Sequence, residues 1–140
     1  MIVVDSSAFI RFLIKEEGWE KLIPYLNPDA EPCSVDLLII ETANAIWKYV
    51  ERFKRIDEDQ GLNLLERVMK LVEEDVLRLE PASSYLREAL KISLRYGITV
   101  YDSLFIAQAR SLNVKLITSD RKQVEVAQDL GVETVLVEQV

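Results

Sequence analysis

The sequence predicts an α/β domain of three layers, α/β/α, with a mainly parallel five-stranded sheet between helices. Three observations carry this expectation. Short β-branched runs alternate with helical stretches along the whole chain, the pattern that strand–helix–strand crossovers produce. The first run, Ile2-Val3-Val4, is apolar at every position, as a strand covered on both faces is. The balance of 49% hydrophobic and 29% charged residues over 140 positions is that of one ordinary globular domain, spanning 1–140.

The elements follow in order. Ile2 to Val4 is the first strand, and a helix runs from about Ala8 to Lys15 with Ser6 or Ser7 as its cap. A short helix spans about Trp19 to Leu26 and breaks at Asn27-Pro28-Asp29. Cys33 to Val35 is a second strand, after which Asp36 caps a long helix from about Leu37 to Phe53. Asp57 and Gln60 have capping-box spacing and open a helix to about Val72, so these two helices read as a hairpin. Val76 to Leu79 is a third strand, closed by Pro81. Ser83 or Ser84 caps a helix ending near Tyr96, with Gly97 suited to the left-handed position that follows. Thr99 or Tyr101 begins a helix to Leu112, stopped by Asn113, and Val114 to Thr118 is a fourth strand. A helix from Arg121 to Leu130, closed by Gly131, leads to the last strand, Thr134 to Val137.

Composition narrows the chemistry. A net charge of −7 speaks against a broad basic surface for nucleic acid. Histidine is absent, which removes every Ser-His and Cys-His triad and every imidazole ligand or base. Cys33 is the sole cysteine, so neither an intrachain disulfide nor a multi-cysteine zinc site is available. No basic leader precedes the first strand and no apolar run approaches the ~20 residues of a membrane span, so a cytoplasmic protein with no membrane partner is expected. Catalysis on this chain falls to carboxylates, hydroxyls, Lys, Arg and Tyr, and such sites usually recruit a hard metal ion.

Four acids occupy unusual places. In open α/β sheets the functional crevice lies beyond the carboxyl ends of the strands. Asp5 directly follows the first strand and Asp120 follows the fourth, in Thr118-Ser119-Asp120. Helix capping is the plain alternative for both. Glu41 has Leu37, Leu38, Asn44 and Ala45 as its helical neighbours, so its carboxylate is either desolvated or reaches past an apolar face turned elsewhere. Asp102 shares its face with Ile98, Phe105 and Ile106, and its plain alternative is a first-turn acid facing the helix dipole. If the four converge, their repulsion calls for a cation. Oxygen ligands without His or Cys select Mg²⁺ or Mn²⁺. Such an ion usually meets a phosphate-bearing substrate, whose phosphoryl group it polarises.

At Val3-Val4-Asp5-Ser6-Ser7, Glu41-Thr42-Ala43-Asn44, Tyr101-Asp102-Ser103-Leu104 and Thr118-Ser119-Asp120 the sequence resembles the PIN-domain family, and within it the VapC-type toxin ribonucleases. The resemblance covers essentially the whole chain. It implies a parallel five-stranded sheet between helices and metal-dependent endonucleolytic cleavage of RNA. It implies that Asp5, Glu41, Asp102 and Asp120 form the family's acidic quartet, with Asp5 and Asp102 holding the metal directly. Ser6 and Thr118 match hydroxyl positions beside the quartet, and Asn44 matches the Asn that follows the Glu. Some members carry a further acid after the fourth; Arg121, Lys122 and Gln123 fill that stretch here. Arg11, Lys15, Arg121 and Lys122 flank the expected mouth and are candidates for phosphate contacts. The resemblance also implies a homodimer and a small antitoxin partner; of Trp47, Tyr49, Phe53, Leu62, Leu65 and Met69 on the hairpin, most are expected in the core and some in an exposed patch for association. A phospho-receiver domain is a poor match: the first strand lacks paired acids and the last ends in Val137-Glu138 rather than Lys. A non-catalytic PIN-like domain that binds RNA or a protein partner is the remaining alternative, since fold does not guarantee chemistry.

Overall fold

The computed structural model describes residues 1–138. Its five strands are β1 (Ile2–Val4), β2 (Pro32–Val35), β3 (Arg78–Glu80), β4 (Lys115–Thr118) and β5 (Thr134–Leu136). They form one all-parallel sheet in the order β3-β2-β1-β4-β5, with helices on both sides. The helices are α1 (Ser6–Ile14), α2 (Leu37–Trp47), α3 (Glu58–Glu73), α4 (Leu86–Tyr96), α5 (Val100–Leu112) and α6 (Arg121–Asp129). The expected three-layer architecture is therefore the observed one.

Strand order places the site. β1 sits centrally, with Val3 opposite Cys33 on one side and Leu116 on the other. The chain leaves β1 for β2 in one direction and later crosses to β4 in the other, so the crevice opens at the carboxyl ends of β1 and β4. Asp5 and Asp120 stand at those two ends. Behind them the core is filled by Val3, Val4, Phe9, Leu38, Leu116 and Ile117. Helix α5 packs on β1, β2 and β4 as well as on α4, and every residue from Ser103 to Ala109 is buried. A helix covered on all sides needs no polar face at its centre, which is why Leu104-Phe105-Ile106-Ala107 interrupts any amphipathic pattern.

Several sequence expectations need correction. Asp5, not Ser6 or Ser7, caps α1: its backbone is extended and its side chain accepts from the Ala8 amide. The stretch Trp19–Tyr25 is 3₁₀ rather than α-helical, because Pro24 lies inside it and removes an amide donor. The long helix keeps α geometry only to Trp47 and widens into a π turn over Lys48–Arg52, where Val50 reaches toward Gly61 of α3. Asp36 does not cap α2 with its side chain; its Oδ1 instead accepts from the Ala82 amide at 2.9 Å. Neither Ser83 nor Ser84 caps α4, which grows directly out of a 3₁₀ turn at Ala82–Tyr85. The Asp57–Gln60 capping box is present, Thr99 caps α5, and Gly97 and Asn113 adopt the left-handed conformation expected at helix ends.

Candidate functional site

Asp5 is fully buried, and three donors hold its carboxylate. The Ala8 amide and the Ser7 hydroxyl donate to Oδ1 at 2.9 and 2.7 Å, and the Thr118 hydroxyl donates to Oδ2 at 2.5 Å. Burial nevertheless wins: it pushes the carboxyl from the ordinary 3.8 up to about 6, against the lowering effect of those hydrogen bonds, and the charge of Asp102 pushes the same way. Thr118, itself buried, also accepts the Asp120 amide at 3.0 Å, so one hydroxyl ties the end of β1 to the loop after β4. Asp120 caps α6, its Oδ1 accepting from the Lys122 amide at 2.8 Å.

The two acids on helices are half-buried. Glu41, on α2, receives the Ser6 hydroxyl on Oε1 at 2.7 Å. Burial raises its pKa above the ordinary value, and the charge of Asp102 adds to the rise. Asp102 lies in the first turn of α5, where its amide donates to Thr99 Oγ1. Burial raises its pKa first, and the charge of Asp120 second. Asp102 is thus the hub of the set: its charge acts on Asp5 and Glu41, and Asp120 acts on it. Asn44 is exposed and lines one groove with Ser6, Glu41, Ile40 and Tyr101. The capping and first-turn roles expected as plain alternatives for Asp5, Asp120 and Asp102 are real, and these acids also feel one another's charge, Asp102 acting on Asp5 and Asp120 on Asp102.

Sequence reasoning missed two contributors. Ser7 bridges Asp5 to the β4 side by also accepting the Ser119 amide at 2.9 Å. Gln123, on α6, is buried, and its Nε2 lies 3.4 Å from Asp102 Oδ1. Gln123 lies three and four residues before the buried Val126 and Ala127, and that helical spacing is the signal that could have found it. Ser7 could have been found from its place two residues after a capping Asp. Of the four candidate phosphate-binding cations, Lys15 lies over the Trp19 ring at 5.3 Å and Lys122 pairs with Glu125 at 3.9 Å. Arg121 pairs with Glu138 at 2.8 Å, and Arg11 donates to Ser119 Oγ at 3.0 Å between Thr118 and Asp120.

The donor set fits a hard divalent cation. None of Asp5, Glu41, Asp102 and Asp120 enters an ion pair among the described residues, although seven other pairs form. Gln123 Oε1 is buried beside Asp102 with no hydrogen-bond partner. Among the described residues no three acidic side chains are drawn together closely enough to cage an ion.

A parallel sheet flanked by helices, with carboxylates free of ion pairs at the carboxyl ends of the central strand and its neighbour β4, defines a class of α/β domain whose crevice lies at a topological switch point. Comparison with known proteins gives the family. The PIN domain profile matches residues 2–129. Ribonuclease VapC3 of Pyrobaculum aerophilum is 32% identical over 124 residues, covering 89% of this chain and 92% of the relative. Exonuclease VapC9 of the same organism is 29% identical over 136 residues, covering 96% and 92%. Among solved structures, PAE2754 from P. aerophilum superposes with a TM-score of 0.68 at 24% identity, over 96% of this chain and 88% of that one. VapBC2 from Rickettsia felis, bound to a DNA fragment from its promoter, superposes with a TM-score of 0.66 at 14% identity, over 98% and 99%. The chain belongs to the PIN domain family. No helix among the described residues is long and apolar enough to cross a membrane.

Proposed function

We propose that this chain is a metal-dependent endoribonuclease that hydrolyses RNA phosphodiester bonds, and that it is the toxin of a toxin–antitoxin pair. The observation that carries the reading is the coupled set Asp5, Glu41, Asp102 and Asp120, left without cationic partners at the crevice. The relatives named as a ribonuclease and an exonuclease support nuclease chemistry, and neighbours described as toxin–antitoxin complexes support an antitoxin partner.

Asp5 and Asp102 would hold Mg²⁺ (or Mn²⁺), and Glu41 and Asp120 would complete the site. When bound, the ion supplies positive charge that polarises the phosphoryl group and makes the attacking water more acidic. The chain's own residues prepare the site. Thr118 and Ser7, whose hydroxyls lie 3.2 Å apart, each donate to one oxygen of the Asp5 carboxylate. Ser6 holds Glu41 by a hydrogen bond to Oε1, which favours its ionised form. Gln123 orients Asp102. A charged arginine from an antitoxin segment suits this acidic pocket. The exposed Trp47, Phe53 and Leu62 of the α2–α3 hairpin are the surface through which the chain forms a homodimer.

The test is cleavage of single-stranded RNA. Cleavage should require Mg²⁺ or Mn²⁺, stop in excess EDTA, and disappear in Asp102→Asn and Asp5→Asn. Undiminished cleavage in EDTA or by Asp102→Asn overturns the reading. RNA binding without any cleavage points to the non-catalytic alternative.

A further inference from the structure

A chain of net charge −7 must attract RNA through some local cationic feature. One lies beside the acids. Arg121 directly follows Asp120 and donates two hydrogen bonds to the Glu138 carboxylate, at 2.9 and 2.8 Å. Lys21 Nζ donates to the Glu138 backbone carbonyl at 3.4 Å. The Arg121 hydrogen bond is the main reason the Glu138 carboxyl sits below its ordinary value, and the charges of Lys21 and Arg11 lower it further. Arg121 thus grips the Glu138 carboxylate and Lys21 its backbone carbonyl, while Arg11, from a third segment, acts on the same residue through its charge.

The cluster is wired to the crevice. Arg11 Nε donates to Ser119 Oγ at 3.0 Å, and its Nη1 donates to the Glu17 carbonyl, which fixes the guanidinium. The Ser119 amide donates to Ser7 Oγ, which in turn donates to Asp5. The planar fork of an arginine fits a carboxylate and a phosphate equally well. The Arg121 and Glu138 side chains are 76% and 39% exposed, so their ion pair is one that solvent already weakens.

We propose that Arg121, Arg11 and Lys21 form a subsite for a phosphodiester of the RNA strand next to the scissile position, and that Glu138 fills this subsite until RNA displaces it. The proposal rests on the nuclease reading for its substrate, and it adds a place where the strand is held and a carboxylate that competes with it. Glu138 acts here as a stand-in anion: it neutralises the cluster in the free protein and lowers its affinity for RNA.

The experiment measures binding of a short fluorescent single-stranded RNA by anisotropy, in EDTA and over a salt series. Cleavage of the same RNA with Mg²⁺ is measured in parallel. Glu138→Gln should tighten binding roughly two- to five-fold, the range an exposed ion pair commands. Arg121→Ala should weaken binding and reduce the slope of log K against log salt by roughly 0.7, the value for one phosphate contact on a single strand. Glu133→Gln removes the same charge from a pair with Lys115 and should leave affinity unchanged. If Glu138→Gln binds as wild type, or Glu133→Gln tightens binding equally, the subsite is wrong even where wild type cleaves RNA. If the variants move affinity as stated while wild type cleaves nothing, the subsite stands and the nuclease reading fails. If wild type neither binds nor cleaves RNA, both fail.

Discussion

With divalent ions removed by EDTA, raising the pH from about 4 to about 7 should cost the folded protein about 3 kcal/mol through Asp5 alone. Folding takes this carboxyl from the ordinary 3.8 to about 6. Each pH decade between the two values is worth about 1.4 kcal/mol, which gives the figure above. Because the folded value is the higher one, the native state binds more protons than the unfolded state between them. The stability is complete below pH about 4 and is lost as the pH climbs through about 6. Glu41 and Asp102 are shifted in the same direction and steepen the trend. The net charge of −7 also favours acid conditions, so the informative quantity is a difference. Asp5→Asn removes this titration and keeps the shape. Urea melts of wild type and Asp5→Asn in EDTA, taken across this range, should show wild type losing about 3 kcal/mol relative to the variant, or roughly 10 °C in Tm for a chain of this size. Parallel pH profiles for the two proteins would refute the buried, cation-free carboxylate on which the site is built.

Two other perturbations test neighbouring parts of the structure. Gly61→Ala places a methyl 2.9 Å from Val50 Cγ2 and 3.1 Å from Ile46 Cγ2, so overpacking of about 1–3 kcal/mol should outweigh about 1 kcal/mol of helix propensity and lower the urea midpoint. Ser6→Ala removes the hydroxyl that holds Glu41 ionised, so the acid limb of the pH–rate profile for RNA cleavage should move to higher pH and the rate should fall roughly ten-fold, the worth of one charged hydrogen bond.

What was legible in the sequence was local chemistry. The Asp57–Gln60 box, the Thr99 cap and the turns at Gly97 and Asn113 are decided within a few residues, and spacing reveals them. Glu41 and Asp102 stood out because each interrupts an apolar helical face, and both are half-buried in the fold. What spacing does not show is pairing across the chain. The third strand was expected at Val76 to Leu79 on β-propensity but forms at Arg78–Glu80, because parallel register against Cys33–Val35 selects it. Val76 and Leu77 instead send their amides back to the Leu71 carbonyl at the end of α3. The hold of Gln123 on Asp102 and of Ser7 on the Ser119 amide arises only once α6 and β4 meet α1 and α5, and no periodicity announces it.

The hydroxyl that fixes Asp5 belongs to Thr118, 113 residues further along the chain. Translation gives that separation a direction in time. β1 leaves the ribosome well before β4, its neighbour in the sheet. Until β4 slides into place the growing chain has neither the clamp on Asp5 nor Asp120, and any product of premature termination before Thr118 carries an unfinished centre. The RNA cleavage proposed for this chain would thereby be withheld from the message and the ribosome that are making it, with no inhibitor present, until synthesis has passed the fourth strand.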